Sequence, residues 1–112
     1  MWAIEPGDTL KCKTGFAMAL DKAAAALILP RSGLATKKGL RPANTPGLID
    51  SDYRGEVIVA LHNDSHNTQF ISKGERIAQM VIVPYLTNSF ELAEELDETA
   101  RGAGGFGSTG TN

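Results

Sequence analysis

The sequence predicts an all-β fold carrying one short helix. Three observations lead there. Turn residues punctuate the chain at regular intervals, with 12 glycines and 5 prolines in 112 residues, as in proteins built from many short strands. The clearest apolar segments, "EVIVALHN" (56–63) and "RIAQMVIVPYL" (76–86), are rich in Val and Ile, which suit a pleated surface. One stretch, "RSGLATKKG" (31–39), has helix punctuation: Ser32 at an N-cap position and Gly39 as a stop.

Along the chain, "PGD" at 6–8 reads as a turn. "TLKCKTGFAMAL" alternates and reads as strand pieces broken at Gly15. "AAAALILP" (23–30) is ambiguous, because alanine favours helix while the apolar run stops at Pro30; its end, Leu27 to Leu29, reads as a buried strand. "NTPG" (44–47) is a turn, 56–63 a strand, and "DSHN" (64–67) a hairpin-like turn. "QFIS" and 76–86 give further strand, with Pro84 at a bulge or edge. In "SFELAEELDETA" (89–100), Leu92 and Leu96 are spaced for a helix, whereas Phe90 and Leu92 alternate as in a strand. Pattern alone does not separate the two.

The bulk properties narrow the function. A chain of 112 residues is one domain at most, with 42% hydrophobic residues for a modest core. A net charge of −2 gives no broad positive field, so no nucleic-acid partner is expected. An anionic small ligand would need a local basic pocket instead. The single cysteine, Cys12, excludes an internal disulfide and reads as a buried strand thiol. No apolar run approaches the ~18 residues of a membrane span. The start "MWAIEPGD" has no basic region of the secretory kind, which points to a reducing, cytoplasmic setting.

Several groups could carry chemistry. In "PRSG" (30–33), an arginine, a hydroxyl and a glycine follow a proline where a short helix begins. Unpaired amides there suit phosphate oxygens, Arg31 offers a bidentate clamp, and Gly33 permits close approach. An ordinary helix start with a solvated arginine would look the same. In "NTPGLIDSDYRGE" (44–56), Asp50 and Asp52 would face one way if the segment were extended. Asp50 follows the apolar Leu48 and Ile49 and could act as a general base towards water, whereas Asp52 reads as a turn residue. Tyr53 is a pocket wall or a packing aromatic. In "KGERIAQM" (73–80), Gln79 could offer its amide to an oxyanion or be a solvated strand residue. His62 and His66 straddle a turn without a third ligand, so a zinc site is not expected.

The end "RGAGGFGSTGTN" matches G-x-G-x-x-G, but a dinucleotide turn must open a helix, and only five residues follow Gly107. A phosphate-binding P-loop would need Lys where Ser108 stands. By itself the segment reads as a Gly/Ser tail.

Taken in order, "PRSGLA", "NTPGLIDSDYRGE", "GERIAQMVIVP" and "RGAGGFGSTG" resemble four of the five motifs of the trimeric dUTP pyrophosphatases (dUTPases). The likeness runs from about Pro6 to the C-terminus. It implies a jelly-roll-like β-clip barrel with one short helix, assembled as a homotrimer with sites between subunits. It further implies hydrolysis of dUTP to dUMP and pyrophosphate with Mg²⁺, which limits uracil incorporation into DNA and supplies dUMP for dTMP synthesis. In that resemblance Asp50 is the base that activates water for attack on the α-phosphorus. Arg31, Ser32, Gly33 and Gln79 contact phosphates. Asn44, Leu48, Ile49 and Ile58 form the uracil and sugar pocket, and Tyr53 packs on the deoxyribose. Residues 1–100 would be the β domain, with 89–100 an extended arm. Residues 101–112 would be a glycine-rich lid, with Arg101 on the γ-phosphate, Phe106 stacked on uracil, and Gly107 and Ser108 around the terminal phosphates. No protein group would hold Mg²⁺ directly; the substrate phosphates and water would.

The chain departs from the pattern at one point. Family members carry an Ala-Gly-x-Asp-Leu-like stretch before the segment matched by "IEPGDTL", and here only Met1 to Glu5 precede Pro6. The domain is therefore expected to be shortened at its N-terminus, with an exposed sheet edge and weaker metal positioning. A catalytically weak nucleotide-binding or regulatory relative is the alternative this keeps open. A dCTP deaminase, which shares the fold, is disfavoured: that chemistry needs a glutamate five residues past Gly55, and Ala60 stands there.

Overall fold

The computed structural model describes residues 1–106. It contains eight strands: β1 (Trp2–Ile4), β2 (Thr9–Lys13), β3 (Ala24–Leu29), β4 (Leu40–Pro42), β5 (Gly47–Ile49), β6 (Ile58–Asn63), β7 (Gln69–Ile71) and β8 (Gln79–Pro84). One short helix, Leu34–Lys38, lies between β3 and β4. All pairings are antiparallel, in three small sheets ordered β1-β7, β2-β6-β4 and β5-β3-β8. The arrangement is jelly-roll-like, and its ladders stay separate rather than forming one continuous barrel.

Strand β6 shows why the sequence folds this way. Val59, Leu61 and Asn63 are buried while Ile58, Ala60 and His62 face outward, the two-residue period of a strand with one covered face. The alanine run resolves as strand from Ala24 onward, not only at Leu27–Leu29. Strand β3 sits between β5 and β8, and Ala25 and Ala26 are fully buried there. Their small side chains admit close packing, and ladder bonds on both edges outweigh helix propensity.

Two core clusters lie between the sheets. Ile4, Leu40, Leu61 and Ile71 form one; Ile28, Val57 and Val59 form the other. Cys12 and Ile77 pack against both and join them. Cys12 is half-buried on β2, and desolvation pushes its thiol above the usual cysteine range.

Residues 16–20, read as a strand piece beyond Gly15, form no strand. Two more expectations are corrected. "DSHN" is not a hairpin turn, because β6 pairs with β2 and β4 whereas β7 pairs with β1. The segment is a corner between sheets, organised by Asn63. That side chain is fully buried and donates from Nδ2 to the carbonyls of Ile4 (2.8 Å) and Asn67 (2.9 Å). Its Oδ1 accepts from the Ser65 amide (2.8 Å) and hydroxyl (2.7 Å). Asn63→Ala would strand these partners in a dry site, so we expect a loss of about 3 kcal/mol in urea unfolding. A change below about 1 kcal/mol would show that the corner is held by other contacts.

Ser32, the second correction, is not an N-cap. It already lies in the helical turn, where its carbonyl accepts from the Thr36 hydroxyl (2.6 Å), and the helix has no side-chain cap. Gly39 does stop the helix, in the left-handed conformation at φ 69°.

Strand β8 forms one edge of its sheet and leaves Met80, Val81 and Ile82 between 39% and 51% exposed. Beyond Pro84, residues 86–106 contain no strand and no helix, and Leu86, Phe90, Leu92, Leu96 and Phe106 are exposed. This stretch extends from the body: the radius of gyration is 19.4 Å, against about 13 Å for a compact chain of this size.

Candidate functional site

The predicted residues gather in two groups. The first surrounds a hollow of about 240 Å³ lined by Leu48, Ile49, Asp50, Tyr53 and Ile58, with Glu56 and Val57 beneath. A smaller adjoining hollow shares Leu48, Ile49 and Ile58 and continues to Asn44 and Gly47. Strand β5 supplies the apolar floor, β6 supplies Ile58, and the 50–56 loop supplies the carboxylate and the ring.

That loop is tightly tied. The Tyr53 amide donates to the Asp50 carbonyl (3.2 Å), and Arg54 Nη1 donates to the Ser51 carbonyl (2.6 Å). Ser51 and Asp52 therefore form a turn, and the strand alternation that would align Asp50 with Asp52 stops at Asp50. Asp50 lines the hollow and Asp52 does not. The Tyr53 hydroxyl donates to the Glu56 carbonyl (2.8 Å), and the Glu56 carboxylate accepts from the Gly15 amide (2.9 Å). Asp50 is exposed, and its carboxylate takes no hydrogen bond from the described residues. It is free to hold a water.

The second group lines a polar hollow of about 330 Å³ formed by Arg31, Ser32, Gly33, Leu34, Arg76 and Gln79. The register places Gln79 opposite Leu29, and its amide donates to the Pro30 carbonyl (2.8 Å), which binds the start of β8 to the "PRSG" loop. Arg76 is a residue that sequence reasoning missed. Its signal was present in "GERIAQ", an arginine three positions before the glutamine in a segment already read as anion-facing. Two guanidiniums, an amide and a hydroxyl, with no carboxylate among the lining residues, suit a polyanion.

The two hollows share no lining residue, although a third hollow of about 520 Å³ is lined by Val57 from the first and by Arg31, Arg76 and Gln79 from the second. Ile49 pairs with Ala26, which sets Asp50 level with Ala25, six positions before Arg31. That is roughly 20 Å of extended chain, the strand itself ending at Leu29.

The remaining predicted residues stand apart. Arg101 turns back on its own segment, its Nε donating to the Gly104 carbonyl, and Phe106 is fully exposed. Neither lines either hollow. Gly107 and Ser108 lie outside the described residues. His62 does not meet His66: its Nδ1 is 2.8 Å from the Thr9 hydroxyl and its Nε2 is 3.4 Å from Asp64, which also pairs with Arg41. Among the described residues there is no group of three or more His, Cys, Asp and Glu side chains able to hold a metal ion. An additional apolar hollow of about 330 Å³, beside Trp2, Leu10, Cys12 and Ile77, contains none of the predicted site residues.

Comparison with known proteins gives a consistent answer. The family model described as dUTPase matches residues 2–110. A deoxyuridine 5'-triphosphate nucleotidohydrolase of Hahella chejuensis is 53% identical over 109 residues, covering 96% of this chain and 72% of that protein. One from Desulfitobacterium hafniense is 52% identical over 110 residues, covering 97% and 73%. Among solved structures, a Staphylococcus bacteriophage 80alpha dUTPase mutant with dUpNHpp superposes at a TM-score of 0.82 and 29% identity, covering 97% of this chain and 80% of that one. A mutant dUTPase of S. aureus phage phi11, described with a structural Mg(II) ion, shares the fold at a TM-score of 0.79 and 24% identity.

Proposed function

The chain belongs to the dUTPase family, and from that premise we propose that its two hollows are complementary halves of a dUTP site completed between copies of the chain. The reaction is hydrolysis of dUTP to dUMP and pyrophosphate, which keeps uracil out of DNA and supplies dUMP. The observation that carries this reading of the site is the pairing of an apolar hollow ending on Asp50 with a carboxylate-free hollow lined by Arg31, Arg76 and Gln79.

Asn44, Leu48, Ile49 and Ile58 receive the uracil and sugar, and the Tyr53 ring walls the deoxyribose. Asp50 orients and deprotonates a water that attacks the α-phosphorus in line with the departing pyrophosphate. Arg31, the Ser32 hydroxyl, the backbone at Gly33 and the Gln79 amide bind phosphate oxygens. Little covalent chemistry falls to the protein, so positioning and charge stabilisation supply most of the rate.

Mg²⁺ fits this arrangement as an ion carried by the substrate. The polar hollow is cationic, and Mg²⁺ commonly keeps several waters and binds through phosphates. When bound, it neutralises part of the triphosphate charge that would repel an incoming oxygen.

The assembly is a homotrimer. Its support is the exposed apolar edge at Met80, Val81 and Ile82, the unpacked 86–106 stretch, and the distance between the half-sites. The arm then delivers Arg101 to the γ-phosphate and Phe106 to the uracil face, with Gly107 and Ser108 closing over the terminal phosphates. Phe106 is fully exposed among the described residues, so Phe106→Ala should leave the melting temperature within a few degrees. It should also raise KM for dUTP on the order of tenfold, the scale of one base–aromatic stack. An unchanged KM would remove Phe106 from the site. No helix among the described residues is long and apolar enough to cross a membrane, and the place of action under this reading is the cytoplasm.

The decisive experiment is magnesium-dependent pyrophosphate release from dUTP, compared with an Asp50→Asn control. Release equal to that control, with dUTP still bound, would favour a nucleotide-binding protein of weak catalysis. Ammonia release from dCTP would favour a deaminase.

A further inference from the structure

The Tyr53 ring lies against a glycine two positions on. A Cβ built at Gly55 would fall 2.5 Å from the Tyr53 hydroxyl oxygen, 2.7 Å from Cζ and 3.1 Å from Cε1. Gly55 is not in the left-handed region, where glycine is favoured for backbone reasons. An alanine suits that backbone; what it meets is the ring. The hydroxyl end of the ring is fixed at the same place, where it donates to the Glu56 carbonyl (2.8 Å). Glu56 is in turn anchored to the loop just after β2 through the Gly15 amide (2.9 Å). The missing side chain at Gly55 thus opens the seat into which the ring folds, and the Glu56 carbonyl keeps it there.

We infer that Gly55 is a specificity-determining position that acts through Tyr53: its lack of a side chain fixes where the ring stands beside Leu48, Ile49 and Asp50. The inference rests on the reading of Tyr53 as the wall against the deoxyribose. Gly55 does not line the hollow, so its role is that of a positioning residue. A methyl group at 55 displaces the ring and breaks the bond to Glu56. The displaced atoms are the far end of one flexible side chain, so the fold accommodates the change while the sugar wall moves. Specificity for a small substituent depends on such a wall, because a loosely placed surface rejects an added hydroxyl poorly.

The test is a double-mutant cycle on kcat/KM for dUTP and UTP in the full chain. Gly55→Ala should lower kcat/KM for dUTP on the order of tenfold, mainly through KM, with a melting temperature within a few degrees of the parent. Tyr53→Ala should narrow the dUTP-to-UTP ratio. With the ring gone, adding Gly55→Ala should change neither substrate by more than about twofold. A Gly55→Ala protein with parental kcat/KM for both nucleotides, alongside a narrowed ratio in Tyr53→Ala, would overturn the inference alone. So would a Gly55→Ala loss of equal size with and without the ring. An unaltered ratio in Tyr53→Ala would instead overturn the sugar-wall reading beneath it.

Discussion

Asp50→Asn is expected to lower kcat for pyrophosphate release on the order of 10²- to 10⁴-fold while dUTP still binds, which is the contribution of a positioned general base. The substitution keeps the size and planarity of the side chain and removes its capacity to take a proton. Asp50 is exposed and receives no hydrogen bond from the described residues, so no buried partner is orphaned. The loop around it is held by other groups: the Tyr53 amide on the Asp50 carbonyl, Arg54 on the Ser51 carbonyl, and the Tyr53 hydroxyl on the Glu56 carbonyl. Stability should therefore stay within about 0.5 kcal/mol of the parent. Calorimetric titration with dUTP and a coupled pyrophosphate assay separate the two effects. A kcat within threefold of the parent would remove Asp50 from the chemistry, and a joint loss of binding and turnover would make it a structural residue of the loop.

Asp52 shows that residue chemistry can outweigh pattern: in an extended segment it would face the same way as Asp50, but it reads as a turn residue, and Ser51–Asp52 does form a turn. Turn formation there depends on the Tyr53 amide and the Arg54 side chain, which a period of two does not encode. The apolar elements were more legible. Strand β6 follows its Val and Ile residues, Gly39 ends the helix and Pro84 ends an edge strand, because each is fixed by a local preference. Longer-range outcomes were less so. "AAAALILP" is a strand because two neighbouring strands claim both of its edges, and "DSHN" is a corner because Asn63 binds Ile4 across the chain. Arg76 escaped notice for a similar reason: only the packing of β8 against the "PRSG" loop brings it beside Arg31.

The resemblance in the ordered motifs is what assigns residues to the substrate in the proposed site, while the separation of those residues comes from the sheet register. Asp50 stands level with Ala25 on one side of β3, and Arg31 follows the far end of that strand. A backbone amide or a serine hydroxyl has almost no reach, so in the proposed site Ser32 and Gly33 would touch phosphate where they stand. A water on Asp50 must equally sit within hydrogen-bond distance of the attacked phosphorus. One nucleotide meets both demands most simply if the carboxylate comes from one copy and the phosphate loop from another.

A mixing experiment follows, and it has an unusual sign: two inactive proteins should combine to give activity. Asp50→Asn lacks the base, and Arg31→Ala lacks a clamp on the triphosphate; each alone should turn over dUTP at or near background. After co-refolding at equal amounts, subunits assort at random into closed assemblies. A working site needs its carboxylate from an Arg31→Ala subunit, half of the pool, and its phosphate loop from an Asp50→Asn subunit, the other half. About a quarter of the sites should then be intact, so activity should recover to about a quarter of the parent's. If both residues served one nucleotide from a single chain, no assortment could restore a site, and the mixture would stay at background. The measurement therefore reads the geometry through catalysis. Recovery requires the assembly proposed from the exposed edge at Met80 to Ile82. Sedimentation of the same mixture shows whether assembly took place, so an inactive but assembled mixture would overturn the shared site and leave the oligomer standing.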